Sequence, residues 1–394
     1  MSDLIVVSLE RWDEVWRRNQ HLVAGLLRED PNLRVLFVEP PDDPLYALRR
    51  GARPEFGHGE RPVGERLHTL RPVKWLPRRL DPGADARIER SIVRAAARLG
   101  MTDPLLWIND PRAAGLARRT GWAALYDLTD DWLAAERPAA EMRRISEGEE
   151  WLLARAAAVV ACSPELARRK GGQRPDIAVV RNGVDTAAYR SPRPRPADLP
   201  SGPVALYLGT LHRDRLDVDL VVRTASSLRS SADVAGAAGA GEGARTAASL
   251  VLVGPNALDD ADTARLRDAG ALVLGARPRE AVIGYLQHAD VLLVPHVVSA
   301  FTESLDPLKL YEYQAVQRPV VSTPVAGFRE AAGGLIRIAA AEEFTEAVHR
   351  ALTSGATGSD PLPAPPSGAH PSETADWSQR VAEMRAVLDG VMRV

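Results

Sequence analysis

Lys309 and Glu312 stand three residues apart in the stretch DPLKLYEYQAVQRPVVSTP, residues 306–324. Residues at this spacing share a helix face, and the Asp306-Pro307 pair that opens the stretch is typical of a helix N-terminus. The free amides of a helix N-terminus bind anions. A cation and a carboxylate beside them suit a phosphate and a sugar hydroxyl. The simpler interpretation is an exposed ion pair on a surface helix.

Glycines follow three strand-like runs in the second half of the chain, and polar or basic residues accompany them. The residues are Gly209, Thr210, Arg213 and Arg215 after residues 204–208, Gly254 after 250–253, and Gly275, Arg277 and Pro278 after 271–274. A glycine directly after a strand lets the backbone approach a ligand closely. Because the carboxyl ends of parallel strands meet at one edge of a sheet, we expect these residues to border one site.

Two further polar groups follow strand-like runs in the first half. They are Trp12, Arg17, Arg18, Asn19 and Gln20 after residues 4–8, and Asp127, Asp130, Asp131 and Trp132 after Tyr126. The first group either reaches a ligand cleft or forms the solvated face of a first helix. A carboxylate of the second group suits a hydrogen bond to a ligand hydroxyl, and the alternative is capping of a helix N-terminus.

The elements that must position these residues alternate between strands and helices, which predicts α/β domains with doubly wound parallel sheets. The predicted strands are residues 4–8, 34–38, 105–108, 123–126, 159–162, 177–180, 204–208, 250–253, 271–274, 291–295 and 320–323. The predicted helices are residues 13–29, 84–99, 112–119, 139–155, 164–170, 216–229, 259–269, 278–288 and 307–317.

The proline-rich stretch 191–203 predicts a linker between two domains, residues 1–190 and residues 204–360. Two such lobes place a ligand cleft between them. The Gly/Ala/Ser-rich residues 230–248 are predicted to be a loose surface loop.

A second proline-rich stretch, residues 361–372, precedes a predicted helix at 373–394. Its apolar residues recur at spacings of four and three, which predicts one buried stripe. These residues are Trp377, Val381, Met384 and Leu388. We expect this helix to dock across the two lobes.

Composition excludes several classes of protein. A formal net charge of −2 gives no reason to expect a nucleic-acid partner. The single cysteine, Cys162, excludes an internal disulfide and a cysteine zinc site, and it is predicted to be a buried thiol at a strand end. The chain has no uninterrupted apolar run long enough to span a membrane, so we expect a cytosolic protein. The basic, aromatic stretch RPVKWLPRRL at 71–80 is either a solvated loop or a contact with an anionic bilayer.

Four stretches resemble, in order, the nucleotide-sugar lobe of the retaining GT-B glycosyltransferases of family four, or group 1. They are YLGTL at 207–211, LVGP at 252–255, LGARPREAVIGYLQHADVLLVPH at 274–296 and PLKLYEYQAVQRPVVST at 307–323. The segment VVRNGVDTAAY at 179–189 is similar to the family's interdomain signature. RWDEVWRRNQHLV and LYDLTDDW resemble the branch that includes teichuronic-acid and other cell-surface polysaccharide enzymes.

This resemblance implies transfer of a hexose from a nucleotide sugar, UDP first and GDP next, to a hydroxyl with retention of configuration. The acceptor would be a glycan, a lipid-linked molecule or a natural product. No cofactor or metal is implied, because helix N-termini and Arg or Lys stabilise the leaving diphosphate. The first lobe would hold the acceptor, with Trp12, Arg18 and Gln20 as binding candidates and Asp127 and Asp130 as catalytic candidates.

In the second lobe, Glu312 resembles the second glutamate of the family's Glu-x7-Glu pair, which holds the ribose. Leu308 and Lys309 resemble the positions that meet the distal phosphate, and Arg213 or Arg215 resembles the cation that balances the diphosphate. The resemblance also implies base binding at Arg277 and Pro278 and close donor approach at Gly209, Thr210 and Gly254.

The chain departs from the family pattern at three places. Ser304 stands where the first glutamate is usual, with Glu303 one position out of register. Asp217 stands near the place of the family's usual lysine. Gln317 and Arg318 replace the glycine before the last strand. These departures support an alternative hypothesis, a degenerate protein that binds a nucleotide sugar without transferring it.

Two other classes of protein have weaker support. No GxGxxG follows residues 4–8 or 204–208, which argues against an NAD-linked Rossmann enzyme. Asp217-Val218-Asp219 has the form of a metal-binding DxD, but acidic residues are common at the beginning of a helix. We therefore do not expect a metal site there.

Overall fold

A computed structural model describes residues 3–49, 51–78, 80–134, 137–237, 247–355 and 376–392. The chain divides into two compact units, one made of Met1–Arg181 with Trp377–Val394 and the other of Asn182–Asp376. The structure therefore groups residues 182–190 and the proline-rich stretch with the second unit. No helix in the described ranges is long and apolar enough to cross a membrane.

The first unit is built on an eight-stranded sheet in the order β3-β4-β2-β1-β5-β6-β7-β8. Its strands are β1 Asp3–Val7, β2 Arg34–Val38, β3 His58–Pro62, β4 Leu67–Arg71, β5 Leu105–Ile108, β6 Ala124–Leu128, β7 Ala158–Ala161 and β8 Ala178–Val179. Its helices are α1 Arg18–Glu29, α2 Pro44–Arg49, α3 Ala84–Arg98, α4 Ala114–Thr120, α5 Ala139–Arg155, α6 Pro164–Lys170 and α13 Trp377–Met392. All neighbouring strands are parallel except β3 and β4.

The second unit has a six-stranded, fully parallel sheet in the order β11-β10-β9-β12-β13-β14. Its strands are β9 Val204–Leu208, β10 Ser249–Val253, β11 Leu272–Gly275, β12 Val291–Val294, β13 Val320–Ser322 and β14 Ile336–Ile338. Its helices are α7 Thr186–Arg190, α8 Val218–Ala237, α9 Asp260–Asp268, α10 Arg279–Gln287, α11 Leu308–Val316 and α12 Phe344–Gly355. The strand order reverses between β9 and β12, where open α/β sheets bind ligands.

The central strands of both sheets are buried on both faces, as their continuous apolar sequences predict. Every residue of β5 is buried, and so is every residue of β9. Cys162 is buried after β7, and its thiol donates to the Thr129 carbonyl at 3.2 Å, which confirms the predicted strand-end thiol.

The last helix, α13, packs on α1 within the first unit. Its apolar stripe is buried, as predicted, and Val381 fills the space beside Gly25, where a Cβ atom would overlap the valine side chain. The Trp377 ring stacks on His21 with centroids 4.4 Å apart. These contacts join the C-terminal helix to the first unit, and docking across both lobes stays a prediction.

Two expectations differ from the structure. Helix α1 begins at Arg18, because residues 11–17 form an irregular segment in which the Val15 amide donates to the Asp13 carboxylate and the Arg17 amide donates to Gln20. Helix α8 continues to Ala237 where a loose loop was predicted from residue 230, since alanine and serine there continue the helix. The rest of that loop, residues 238–246, lies outside the described residues, as does the stretch 361–372. Residues 191–203 form neither helix nor strand, and Arg193 donates its amide to Gln287 on α10 at 2.8 Å.

Gln317 ends α11 in the left-handed conformation, with φ of 54°. A residue with a Cβ atom is strained there by about 1 kcal/mol, whereas glycine is not. Gln317→Gly is therefore expected to stabilise the protein by about 0.5 kcal/mol, the remainder being lost to unfolded-chain entropy. Urea unfolding measures the change. The matched control, Gln314→Gly on the exposed face of the same helix, should destabilise by about 1 kcal/mol, and equal losses in both variants would contradict the assignment of strain.

Candidate functional site

Two glycines open the space at the carboxyl ends of β9 and β10. Gly209 and Gly254 have φ of 143° and 144°, which disfavours any side chain. A Cβ atom on Gly254 would lie 2.5 Å from the Gly209 carbonyl carbon. A Cβ atom on Gly209 would lie 2.5 Å from the Lys309 amine. The glycines therefore let Lys309 lie directly against the end of β9. Gly275 has open space around it, so its positive φ is required by the turn and no close neighbour requires a glycine there.

Lys309 lies in a cluster that joins three elements of the second unit. Its amine donates to the Tyr207 hydroxyl of β9 at 2.9 Å and lies 3.4 Å from Nε2 of His296, which follows β12. The amine also lies 4.2 Å from the centre of the Tyr207 ring. The guanidinium of Arg215 lies 5.4 Å from the Phe301 ring centre. The structure thus brings together residues from the strand ends that flank the point of strand reversal.

Burial shifts the protonation of this cluster. Burial and, after it, the positive charge of Arg215 lower the pKa of Lys309 to about 7, against the opposing effect of Glu312. The pKa of His296 falls well below its ordinary value, first by burial and then by repulsion from Lys309 and Arg215. His296 is therefore neutral at pH 7 and can accept a hydrogen bond from the lysine. An anion bound here would gain from both cations and restore the charge of Lys309.

Glu312 lies one turn along α11 and bonds to a different element. Its carboxylate accepts the Tyr189 hydroxyl of α7 at 2.6 Å. Burial raises the pKa of Glu312, against the lowering effects of Tyr189, Lys309 and Arg279. No ion pair within 4.0 Å joins Glu312 to Lys309 in the residues the structure describes, and neither side chain is fully exposed. The interpretation as an exposed surface ion pair is therefore wrong.

The N-terminus of α11 lacks a side-chain cap. Pro307 occupies the cap position, whereas Asp306 was expected there. The Asp306 carboxylate instead accepts the Asn182 amide at 2.6 Å and the Tyr311 hydroxyl at 2.7 Å, so it ties α11 to the interdomain signature. The amides of the first turn, which begins at Leu308, have no side-chain acceptor and suit an anion.

The two candidate cations after β9 differ. Arg213 is exposed and forms an ion pair with Asp262 at 2.6 Å. Arg215 is half-buried, and its charge lowers the pKa of Lys309. The geometry favours Arg215 as the second cation of the cluster. Thr210 beside them is exposed, and its carbonyl accepts the Tyr207 hydroxyl at 3.3 Å.

The predicted base-binding turn is held by its own partners. Arg277 donates to Asp198 at 2.7 Å, to the Tyr285 hydroxyl at 2.9 Å and to the Leu274 carbonyl at 2.6 Å. Pro278 caps α10. The guanidinium of Arg277 is therefore occupied within the protein, and base binding at this turn stays a prediction.

The residues that depart from the family pattern form hydrogen bonds or ion pairs within the protein. The Ser304 hydroxyl is buried and donates to the Phe301 carbonyl at 2.8 Å. Glu303 pairs with Arg329 at 2.8 Å and does not replace the missing carboxylate. Asp217 accepts the Leu220 amide at 2.9 Å, as a cap of α8. The described residues contain no group of three His, Cys, Asp or Glu side chains that could hold a metal.

In the first unit, Asp127 and Arg18 form a buried polar network. The Asp127 carboxylate is fully buried and accepts from Arg18 at 3.1 Å, Trp107 at 3.1 Å and Asn109 at 3.2 Å. All of its partners are internal, which places Asp127 and Arg18 beneath the strand ends rather than on a solvated helix face. Asp130 lies half-buried beyond the end of β6.

The remaining acceptor candidates position α1. Gln20 is buried, accepts the Arg17 amide at 2.9 Å and donates to the Asp13 carbonyl at 2.9 Å, which makes it a cap of α1. The Trp12 ring packs edge-on against Phe37 with centroids 5.0 Å apart. Of the three acceptor candidates, Trp12 alone keeps a partly accessible side chain, because Arg18 and Gln20 are buried.

Sequence reasoning missed Tyr189, Tyr207 and His296 as site residues. Each lies inside a motif that was quoted, but an aromatic in a strand and a histidine after one look like ordinary core residues. Their role follows from contacts across the fold, such as the bond between Lys309 and Tyr207, which are 102 positions apart.

Lys309→Met removes the titrating amine. The pKa of Lys309 is about 7 in the folded protein, against an ordinary value of 10.5. Between these values the unfolded chain binds more protons, so stability rises with pH in the wild type and lacks this rise in the variant. We expect the difference in unfolding free energy to change by about 1 to 2 kcal/mol between pH 7 and pH 9, measured by urea unfolding. Parallel pH profiles would show that the amine titrates normally.

Comparison with known proteins identifies one family model in the second unit. Residues 202–354 match the family model described as Glycosyl transferases group 1. A search among curated proteins returned no match.

Solved structures of similar fold cover nearly the whole chain. Sucrose-phosphate synthase from Thermosynechococcus elongatus is 15% identical, covers 100% of both chains and has a TM-score of 0.68. Anabaena HepE in complex with UDP-glucose is 14% identical, with a TM-score of 0.65 over 99% of this chain and 100% of its own. A structure described as trehalose-6-phosphate from E. coli bound with UDP-2-fluoro glucose is 13% identical, with a TM-score of 0.59 over 100% of this chain and 96% of its own. The chain therefore has the α/β fold with parallel sheets of the GT-B glycosyltransferase structures, and its second unit matches the group 1 family model.

Proposed function

We propose that the protein is a glycosyltransferase that moves a hexose from a nucleotide sugar to an acceptor hydroxyl with retention of configuration. The observation that carries the proposal is the pair of half-buried cations, Lys309 and Arg215, at the strand ends beside Gly209 and the uncapped helix α11. This arrangement suits a diphosphate, because Lys309 lies in the first turn of an uncapped helix and Arg215 is close enough to lower the pKa of its amine. The family match of residues 202–354 supports the same activity.

The diphosphate would be stabilised as it leaves by fixed positive charge. Lys309, charged once the anion is bound, and Arg215 would carry this charge, with the first-turn amides of α11 as further donors. His296 stays neutral and orients the amine of Lys309. In a retaining transfer the leaving phosphate accepts the proton of the attacking hydroxyl, so no protein nucleophile is required. Independence of a metal ion stays a prediction.

The donor we propose is a UDP-sugar, with a GDP-sugar next. HepE and the E. coli structure were obtained with UDP-glucose and UDP-2-fluoro glucose, which supports UDP. Glu312 would bind the ribose hydroxyls after exchanging its bond with Tyr189. This exchange is cheap, because one charge-assisted hydrogen bond replaces another.

The acceptor we propose is a glycan, lipid-linked or natural-product hydroxyl bound by the first unit. Trp12 and Asp130 are the candidates with accessible side chains, and Asp127 with Arg18 would hold the strand ends below them. The kinship with teichuronic-acid and cell-surface polysaccharide enzymes and a cytosolic location both stay predictions. A non-catalytic nucleotide-sugar-binding protein is the second candidate, supported by Ser304 in place of the first glutamate.

Calorimetric titration of UDP, GDP, ADP and TDP tests the donor site. We expect one nucleotide to bind tightly and Glu312→Ala to weaken that binding by about 2 kcal/mol, as for a buried charge-assisted hydrogen bond. The control is Gln314→Ala on the exposed face of α11, which should bind like the wild type. Weak binding of all four nucleotides, unchanged in Glu312→Ala, would contradict the site. Tight binding without turnover of any corresponding nucleotide sugar would favour the non-catalytic protein.

Proton uptake tests the role of Lys309. At pH 8 an amine with a pKa of about 7 is mostly neutral, and a bound diphosphate would return it to the charged form. Binding of UDP by the wild type should therefore take up close to one proton, whereas Lys309→Met should take up almost none. Titrations in two buffers of different ionisation enthalpy measure this number. Equal uptake by the two proteins would place the diphosphate elsewhere.

A further inference from the structure

Exposed apolar side chains are concentrated in one part of the first unit. Of the thirteen large apolar residues that the described chain leaves strongly exposed, seven lie between residues 46 and 80. Six of them, all but Val63, belong to the surface considered below, which we call the aromatic ledge. These are Tyr46, Leu48, Phe56, Trp75, Leu76 and Leu80. Phe56 and Trp75 are 58% and 57% exposed.

Backbone pairing brings the pieces of the aromatic ledge together. Asp42 pairs with Val73 in a parallel bridge, with the Lys74 amide donating to the Asp42 carbonyl at 2.8 Å. Helix α2 follows Asp42 and residues 75–78 follow Val73, so the two segments begin side by side. The Gly57 amide donates to the Asp42 carboxylate at 2.7 Å, and the Phe56 ring centre lies 6.0 Å from that of Trp75. Val63 lies at the other end of the β3–β4 hairpin.

Arginines of α3 border the aromatic ledge. Arg87, Ser91, Arg94 and Arg98 recur at spacings of four, three and four, so they share one side of the helix. With Phe56, Trp75 and Arg71 they line a groove of about 360 Å³. The side chains from α3 thus form a basic wall opposite the exposed aromatic rings.

The positive charge of this surface is only partly neutralised. Arg87 pairs with Asp81, and Arg71 pairs with Glu39 at 2.6 Å. Arg94 and Arg98 are exposed and form no ion pair with any residue that the structure describes. The exposed Arg49 and Arg53 beside the ledge likewise have no carboxylate partner in the described ranges.

We propose that the aromatic ledge and the basic wall of α3 dock the first unit on an anionic lipid bilayer. Aromatic rings favour the interface between headgroups and acyl chains, and leucines beside them gain by leaving water. Unpaired arginines next to the rings bind the phosphates of anionic lipids. A solvated loop would account for the arginines but not for the aromatic rings and leucines, because exposing apolar side chains to water costs free energy. The inference is independent of the proposed transfer reaction, because membrane binding is read without turnover.

Vesicle sedimentation of the full chain tests the proposal. The vesicles contain phosphatidylcholine alone or with about 30 mol% phosphatidylglycerol. We expect binding to the anionic vesicles that weakens as salt rises, and little binding to the neutral ones. Arg94→Gln with Arg98→Gln should weaken the partition coefficient about 25-fold, from roughly fivefold per arginine near the surface. Phe56→Ser with Trp75→Ser, which keeps every charge, should also weaken it at least tenfold.

The matched controls lie in the second unit. Arg267→Gln removes an exposed arginine and Leu335→Ser an exposed leucine, and both should bind vesicles like the wild type. Thermal melting checks that each variant folds. Absence of binding to anionic vesicles at low salt, or equal effects of the control and ledge variants, would overturn the proposal. Competition by millimolar inorganic phosphate that abolishes vesicle binding would also overturn it, by showing a site for a soluble phosphate.

Discussion

The contact between the Lys309 side chain and the bare backbone of Gly209 is the constraint on which the donor side of this protein depends. The lysine can lie against the end of β9 only because Gly209 has no Cβ atom, and Gly209 can keep its conformation only because Gly254 also lacks one. Two backbone positions therefore determine where one amine sits. Burial and the charge of Arg215 favour the neutral form of that amine, and a bound anion would restore its charge.

The first unit contains a buried arginine whose charge is neutralised by a buried carboxylate. Its buried arginine, Arg18, is neutralised by Asp127, and the carboxylate gains further donors from Trp107 and Asn109. A buried ion pair of this kind contributes little net stability, but loss of one partner is costly because the other charge stays buried. The network thus fixes the beginning of α1 relative to β5 and β6. In the second unit, the charge of Arg215 lowers the pKa of Lys309, whereas in the first unit the charge of Arg18 is balanced by Asp127.

The sequence predicted the fold class and most of the central elements, because buried parallel strands such as β9 and long helices such as α5 have strong local patterns. It missed β3, whose sequence HGERP forms a mostly exposed edge strand without apolar alternation. It also missed β4, β14 and α12, and it missed α2 and α7, which are too short to show a helical pattern. Within the site, the glycines and Lys309 were found from local motifs. Tyr189 was not, since its bond to Glu312 joins residues 123 positions apart.

The return of α13 to α1 has a consequence for how the molecule can be taken apart. The first unit is made of two separate stretches of chain, and the second is one continuous stretch inserted between them. A gene fragment for residues 182–376 encodes every described strand and helix of the second unit. No shorter fragment encodes the whole of the first unit. Cutting the chain after Arg181 removes α13, whose Val381 packs against Gly25, and exposes the apolar side of α1. The first unit is therefore completed only after the whole of the second unit has been synthesised.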